Sequence, residues 1–167
     1  MNLYSLVVFT VFIHFNYWSQ ITPFSEPKRL PISINSSAEE SAPFVSSSGK
    51  EIFFVRTFDQ TNNGGINDQD IWKSSKNEKG EWSQAQNVSE LNNQFHNGIL
   101  SFSKDDKIAY LLNSYDGKSN QLSGLAYSTQ DQNGKWAKPV SLELPLNDFE
   151  SSYFGFSISS DGKTIVI

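Results

Sequence analysis

The sequence predicts an all-β protein assembled from repeated four-stranded antiparallel units, behind an N-terminal signal segment. Three observations lead there. Aromatic residues make up 14% of the chain, with 13 Phe, 6 Tyr and 4 Trp against a single Met; rings and branched side chains pack well on a pleated surface. Turn signals rich in Gly, Asn and Asp recur about every 8–12 residues between apolar runs. And one short phrase is written three times: FVSSSGK at 44–50, SFSKDDK at 101–107 and SISSDGK at 157–163.

The chain opens with MNLYSLVVFTVFIHFNYWSQ, in which Leu3 to Trp18 is mostly apolar and free of Asp, Glu, Lys and Arg. A membrane-spanning helix needs about 20 apolar residues, more than this run supplies, and His14 and Asn16 interrupt it. Residues 1–20 are therefore expected to be an export signal peptide, cleaved after Ser19 or Gln20. That places the mature chain in the periplasm, at the outer membrane or outside the cell. Membrane contact is expected only through this segment, if it stays uncleaved. Residues 21–33, with Pro23, Pro27 and Pro31 around Lys28-Arg29, read as a linker.

Composition removes several classes of function. Cysteine is absent, which excludes disulfides, thiolate metal sites and a Cys nucleophile. The net charge is −5, and the 13 Lys and Arg are scattered singly. Nucleic acid, which needs a basic stripe, is not an expected partner.

From residue 34 onward the chain repeats itself. A shift of 57 lays Asn35 on Asn92, Val45 on Phe102, Ser46 on Ser103, Gly49-Lys50 on Asp106-Lys107 and Phe53 on Tyr110. A second marker, Gly80-Glu81-Trp82, returns as Gly134-Lys135-Trp136 after 54 residues. In the first copy, strands are expected at 42–46, 51–56, 70–74 and from Trp82 onward. The second copy repeats them at 97–103, 107–113, 123–129 and 136–142. Pro139 marks the fourth strand as an edge. Four antiparallel strands per unit, in tandem, predict a β-propeller, in which neighbouring sheets cover each other's faces. Its blades are expected at about 34–88, 89–143 and 144–167. The third holds only its first strands, so the chain is expected to be an incomplete propeller, a piece of a longer protein.

Candidate chemistry is sparse. His14 lies in the signal, leaving His96, and no nucleophile elbow or phosphate loop is present. Residues 59–70, DQTNNGGINDQD, approximate the spacing of a calcium loop, with Asp59, Thr61, Asn63, Asn67 and Asp70 as candidate ligands. Flanking helices are lacking and the last ligand is Asp in place of Glu, so a solvated polar loop is the expected reading and no metal is assigned. No cofactor is expected. Alternation of strand direction puts the long loops 57–68, 87–97, 114–122 and 143–151 on one face, where binding residues on a rigid scaffold belong. Asp59, Asp68, Asn93, His96, Tyr115, Asp116 and Glu150 are the candidate binding residues there, with Phe95 and Phe149 beside them.

Glu40-Ser41-Ala42-Pro43-Phe44-Val45-Ser46, followed by Gly49-Lys50-Glu51-Ile52-Phe53-Phe54, resembles the WD40-like propeller repeat of the TolB type. That family joins its first two strands through Ser-Pro-Asp-Gly-Lys and opens its third with an Asp-Ile-Tyr-like stretch, here Asp70-Ile71-Trp72. Residues 34–167 carry the likeness. The turn departs from the pattern: Ser47, Lys104 and Ser160 replace Pro, Ser48 replaces Asp, and Asp106 replaces Gly. The resemblance implies an exported, non-enzymatic module that recognises a protein, peptide or glycan of the cell envelope. The alternative is the propeller part of a larger peptidase or glycosidase whose catalytic portion lies elsewhere.

Overall fold

The computed structural model describes residues 24–113, 115, 124–142, 157–159 and 161–166. The expected signal peptide lies outside the described residues. Strands β1 (Glu39–Val45), β2 (Glu51–Thr57), β3 (Asp70–Ser75) and β4 (Gln86–Asn87) form an antiparallel sheet in that order. Strands β5 (Gly98–Phe102), β6 (Ile108–Leu112), β7 (Leu125–Thr129) and β8 (Val140–Leu142) form a second sheet of the same order. Strands β9 (Ser157–Ile158) and β10 (Ile165–Val166) pair antiparallel in a third.

The fourth strands differ from expectation. Trp82 and Trp136 do not open them; each makes an isolated bridge, to Lys76 and Gln130. The ladder resumes only at Gln86 and Val140. The hydroxyls of Ser74 and Ser128 donate to the carbonyls of Ser83 and Ala137, at 2.7 and 2.6 Å. A side chain thus takes an acceptor that an unbroken ladder would use.

The repeat extends to individual hydrogen bonds. The hydroxyls of Ser46, Ser103 and Ser159 accept from the backbone N–H five residues on, at 3.1, 2.9 and 3.0 Å. Gly49, Asp106 and Gly162 each donate their N–H to the carbonyl of that same serine. All three adopt positive φ, of 66°, 58° and 68°, which Gly and, less readily, Asp accept. In the other turn, Oδ1 of Asn77 accepts from the N–H groups of Lys79 and Glu81, and Oδ1 of Asp131 from those of Asn133 and Lys135.

Packing explains why both faces of β2 are apolar. Ile52, Phe54 and Trp72 point to one side of the first sheet and join Ala85, Leu30 and Ile34 in a cluster. Leu30, at the end of the expected linker, is thus part of the folded unit. On the other side, Phe53, Ile71, Val88 and Leu91 meet Phe102, Ala109, Leu111, Ala126 and Trp136 of the second sheet. Phe102 is the hub, with ring centroids of Phe44, Phe53 and Trp136 at 5.1, 5.0 and 5.9 Å. Rings at such separations stabilise each other by about 0.5–1.5 kcal/mol per pair beyond burial. Ala109 and Ala126 stand where the first sheet has Ile52 and Trp72; small side chains there let the first sheet approach.

Candidate functional site: the long-loop end

Antiparallel order puts the β2–β3, β4–β5 and β6–β7 connections at one end of the sheets. The first of these runs through turns closed by Asn62 N–H to Asp59 O, Gly65 N–H to Asn62 O and Asp68 N–H to Gly65 O. Its centre is Asn62, buried, whose Nδ2 donates to the carbonyls of Arg56 and Asp68 at 2.9 and 2.8 Å. Its Oδ1 accepts from Nε1 of Trp72 at 3.0 Å. One amide thus clamps both limbs of the loop to the sheet.

Arg56 is a buried cation beside this clamp. Its Nε donates to Oε1 of Glu40 at 2.9 Å and its Nη2 to the carbonyl of Ile34 at 2.9 Å, and the guanidinium lies 4.2 Å from the Trp72 ring centroid. Asp59 completes the set, 3.6 Å from Nη1. Burial opposes ionisation of Asp59, but hydrogen bonds from the Thr61 hydroxyl and N–H, with the Arg56 charge, outweigh it and hold the carboxyl below its usual range.

The three carboxylates of the loop have different duties. Oδ2 of Asp68 accepts from Gly64 N–H at 2.8 Å, while Oδ1 lies 3.3 Å from Nδ1 of His96 without hydrogen-bond alignment. Asp70 is fully buried. Its Oδ2 accepts from Asn63 N–H and Asn87 Nδ2, and its Oδ1 has no partner among the described residues. Burial, with the charges of Asp68 and Asp59 behind it, raises the Asp70 pKa. Among the proposed calcium ligands, Thr61 donates to Asp59, and Asn63 offers Asp70 its backbone N–H. Among the described residues, no three His, Asp or Glu side chains are grouped to hold a metal.

The second connection joins the first loop by close backbone contact. A Cβ on Gly64 would stand 2.5 Å from both Asp68 Oδ2 and the carbonyl of Gln94, so only glycine fits. The N–H of Asn97 donates to the carbonyl of Gln69 at 2.7 Å. Asn93 and Asn97 bind each other, and Nδ2 of Asn97 donates to the hydroxyl of Tyr115 at 3.0 Å. That hydroxyl in turn donates to the carbonyl of Leu91. Burial pushes the Tyr115 pKa well up, so the phenol stays protonated and able to donate. Beside it opens a cavity of about 620 Å³, lined by Asn92, Asn93, Phe95, Tyr115, Trp136 and Lys138 among others. Nε1 of Trp136 is buried without a partner among the described residues.

Asp68, Asn93, His96 and Tyr115 are therefore brought together, and Asp59 sits apart on Arg56. Asp116, Glu150 and Phe149 lie outside the described residues. Sequence reasoning missed Asn62, Asn97 and Arg56. Asparagines in polar loops carry no distinguishing signal. Arg56 had one: it follows Ile52 and Phe54 at period two, a charge placed where a core side chain belongs. What this end offers chemically is hydrogen-bonding amides, rings and a His–Asp pair. No family model, curated protein or solved structure matches the chain.

Proposed function

We propose that the chain is part of a WD40-like β-propeller of the TolB type, exported, and that its long-loop end recognises a protein, peptide or glycan of the cell envelope without catalysis. One observation carries the reading. The two four-stranded sheets share their hydrogen bonds residue for residue at the turns, and the crossover at Leu91 seats the second sheet against the first as Ile34 seats on the first sheet. Tandem sheets of this kind are what a propeller stacks around its axis. The loops that join at Gly64, Asp68, His96 and Asn97 form a rigid rim, and such rims on a fixed scaffold are where propeller ligands are met.

The test is site-directed photocrosslinking in cells. A photoreactive residue at Asn93 or His96, on the loop end, is expected to capture an envelope component. The same residue at Lys79 or Lys104, on the turn end, is expected to capture none. Equal capture from both ends, or capture of cytoplasmic components only, would overturn the reading. Export is checked alongside by N-terminal sequencing, which should find the mature chain beginning near residue 20.

A further inference from the structure

The two copies of the Gly-x-Trp marker differ in a way the fold does not require. Where the first copy has Glu81, Gln84 and Ala85, the second has Lys135, Lys138 and Pro139. Trp82 and Trp136 make the same isolated bridge, so the turn closes with either set. Lys135 and Lys138 are exposed, and neither forms an ion pair among the described residues. Asp131 feels the charge of Lys135 without pairing with it.

Both lysines line the cavity of about 620 Å³ beside Tyr115, between the crossover 89–95 and the outer edge of the second sheet. Its walls belong to the second sheet and to the segment joining it to the first, so it is not the bare face of a terminal sheet. Trp136 and Pro139 are buried and form its floor, while Phe95 and Tyr115, half-buried, form its sides. These parts are held in place. Tyr115 is fixed by its bonds with Leu91 and Asn97, Trp136 by the Phe102 ring at 5.9 Å, and Phe95 by its N–H to Oδ1 of Asn93 at 2.9 Å. Nδ2 of Asn93, on the same wall, donates to no group among the described residues. A preformed, ring-lined cavity of about 300–1,000 Å³ with a few convergent polar groups is the form that small-ligand sites take.

We propose that this cavity binds an aromatic carboxylate, its carboxylate meeting Lys135, Lys138 and Nδ2 of Asn93 and its ring lying among Phe95, Tyr115 and Trp136. This rests on the recognition reading above and names its ligand class. Charge selects the head group. Glu90 is the one carboxylate in the wall, so two ammonium groups against it leave a single positive charge. That suits a monoanion better than a phosphate, which carries nearly two charges at neutral pH. The ammonium groups and the free amide N–H donate, and an ionised carboxylate only accepts. Shape selects the rest, because aromatic rings gain from offset and edge-on contact with other rings. A free aromatic acid and the C-terminus of a peptide ending in Phe, Tyr or Trp both present this chemistry.

The experiment is isothermal titration of the full chain with four probes: acetyl-Gly-Gly-Gly-Phe as the free acid, the same peptide as its C-terminal amide, acetyl-Gly-Gly-Gly-Ala as the free acid, and N-acetylphenylalanine. At least one of the two Phe acids should bind with a submillimolar Kd. The amide and the Ala peptide should bind about tenfold more weakly or worse, for want of the charge-assisted bonds or of the buried ring. Equal affinity of the two Phe acids assigns the site to free aromatic acids, and tighter binding of the tetrapeptide assigns it to a peptide C-terminus. Lys135→Gln with Lys138→Gln should weaken binding about tenfold or more and leave the Tm unchanged, because both side chains are exposed and unpaired. Should that pair lower the Tm, Lys135→Arg with Lys138→Arg decides: binding kept with the charge supports the proposal, and binding lost with the charge present overturns it. No binding of either Phe acid, an amide as tight as its acid, or binding indifferent to the Gln pair would also overturn it. Failure of every acid, with crosslinking still confined to the loop end, would sink the aromatic carboxylate and leave recognition standing. Failure with equal crosslinking from the two ends would sink both.

Discussion

Oδ2 of Asp106 accepts hydrogen bonds from both the backbone N–H and the hydroxyl of Ser47, at 2.8 and 2.5 Å, across 59 residues of sequence. The contact ties the β1–β2 turn to the β5–β6 turn, at the end of the sheets opposite the loops. It also accounts for two departures from the Ser-Pro-Asp-Gly-Lys pattern at once. Proline at 47 would have no N–H to give, and glycine at 106 no carboxylate to receive it. The two substitutions are partners.

Restoring the pattern should therefore do harm. Ser47→Pro removes both bonds and is expected to lower stability by about 1–3 kcal/mol, the net worth of two ordinary hydrogen bonds. Asp106→Gly should cost less, because relief of its positive φ offsets part of the loss. Combined, the two should cost less than their sum, with a coupling of at least about 0.5 kcal/mol. Urea denaturation of the four proteins measures it, and strict additivity would refute the partnership.

The loop clamp makes a second prediction. Asn62→Ala removes two donated bonds and strands the Trp72 indole N–H. Its expected cost is about 2–4 kcal/mol, from the lost bonds and the stranded buried groups together. Hydrogen exchange should accelerate across 58–69 before it does in β2. Uniform acceleration through the first sheet would show that the loop has no separate anchor.

Two adjacent glycines separate steric from conformational demand. Gly65 has φ of 99° and open space around its missing Cβ, whereas Gly64 is crowded by backbone and carboxylate at 2.5 Å. Gly65→Ala should cost about 1 kcal/mol for its backbone. Gly64→Ala should cost more, about 1–3 kcal/mol, because the loops must part to admit a methyl group. Thermal melts rank them, and the reverse order would contradict the packing of Gly64 on Gln94.

Asp70 sets a pH dependence with a definite sign. Its pKa is raised by burial above the ordinary 3.8, so the folded state holds this proton more tightly than the unfolded chain. The stability that follows is fully present below 3.8 and is lost as pH rises through the raised value. Asp70→Asn removes the dependence. The difference in Tm, variant minus parent, should grow in favour of the variant between pH ~3.5 and pH ~7. A difference that is flat or shrinking with pH would contradict the burial of this carboxylate.

Calcium provides the last. Asp59 is engaged by Thr61 and Arg56, and Asp70 by Asn63 and Asn87, so the loop's carboxylates close its own turns. Millimolar calcium should leave the Tm unchanged. An ion bound only by the folded state would instead raise stability by about 2.7 kcal/mol at a hundredfold excess over its Kd, and Asp59→Ala would abolish that gain.

What the sequence determined by itself is whatever a few neighbouring residues decide. The turn at Ser46, Ser103 and Ser159 closes through bonds spanning five residues or fewer, and such turns recur between short aromatic-rich runs, so strand order and the all-β class were legible. The long-loop end could be located from strand direction alone. The joining of Asp68, Asn93, His96 and Tyr115 could only be guessed as a shared rim. Tertiary structure decided what one copy does that the other does not. Ser47 meets Asp106, Arg56 reaches the carbonyl of Ile34, and Phe58 is exposed where Tyr115 is partly buried against the inter-sheet core. The physical reason is that matching positions meet different neighbours. The first sheet turns one face to Leu30 and Ile34 and the other to the second sheet, and a repeat read along the chain cannot say which face a partner will cover.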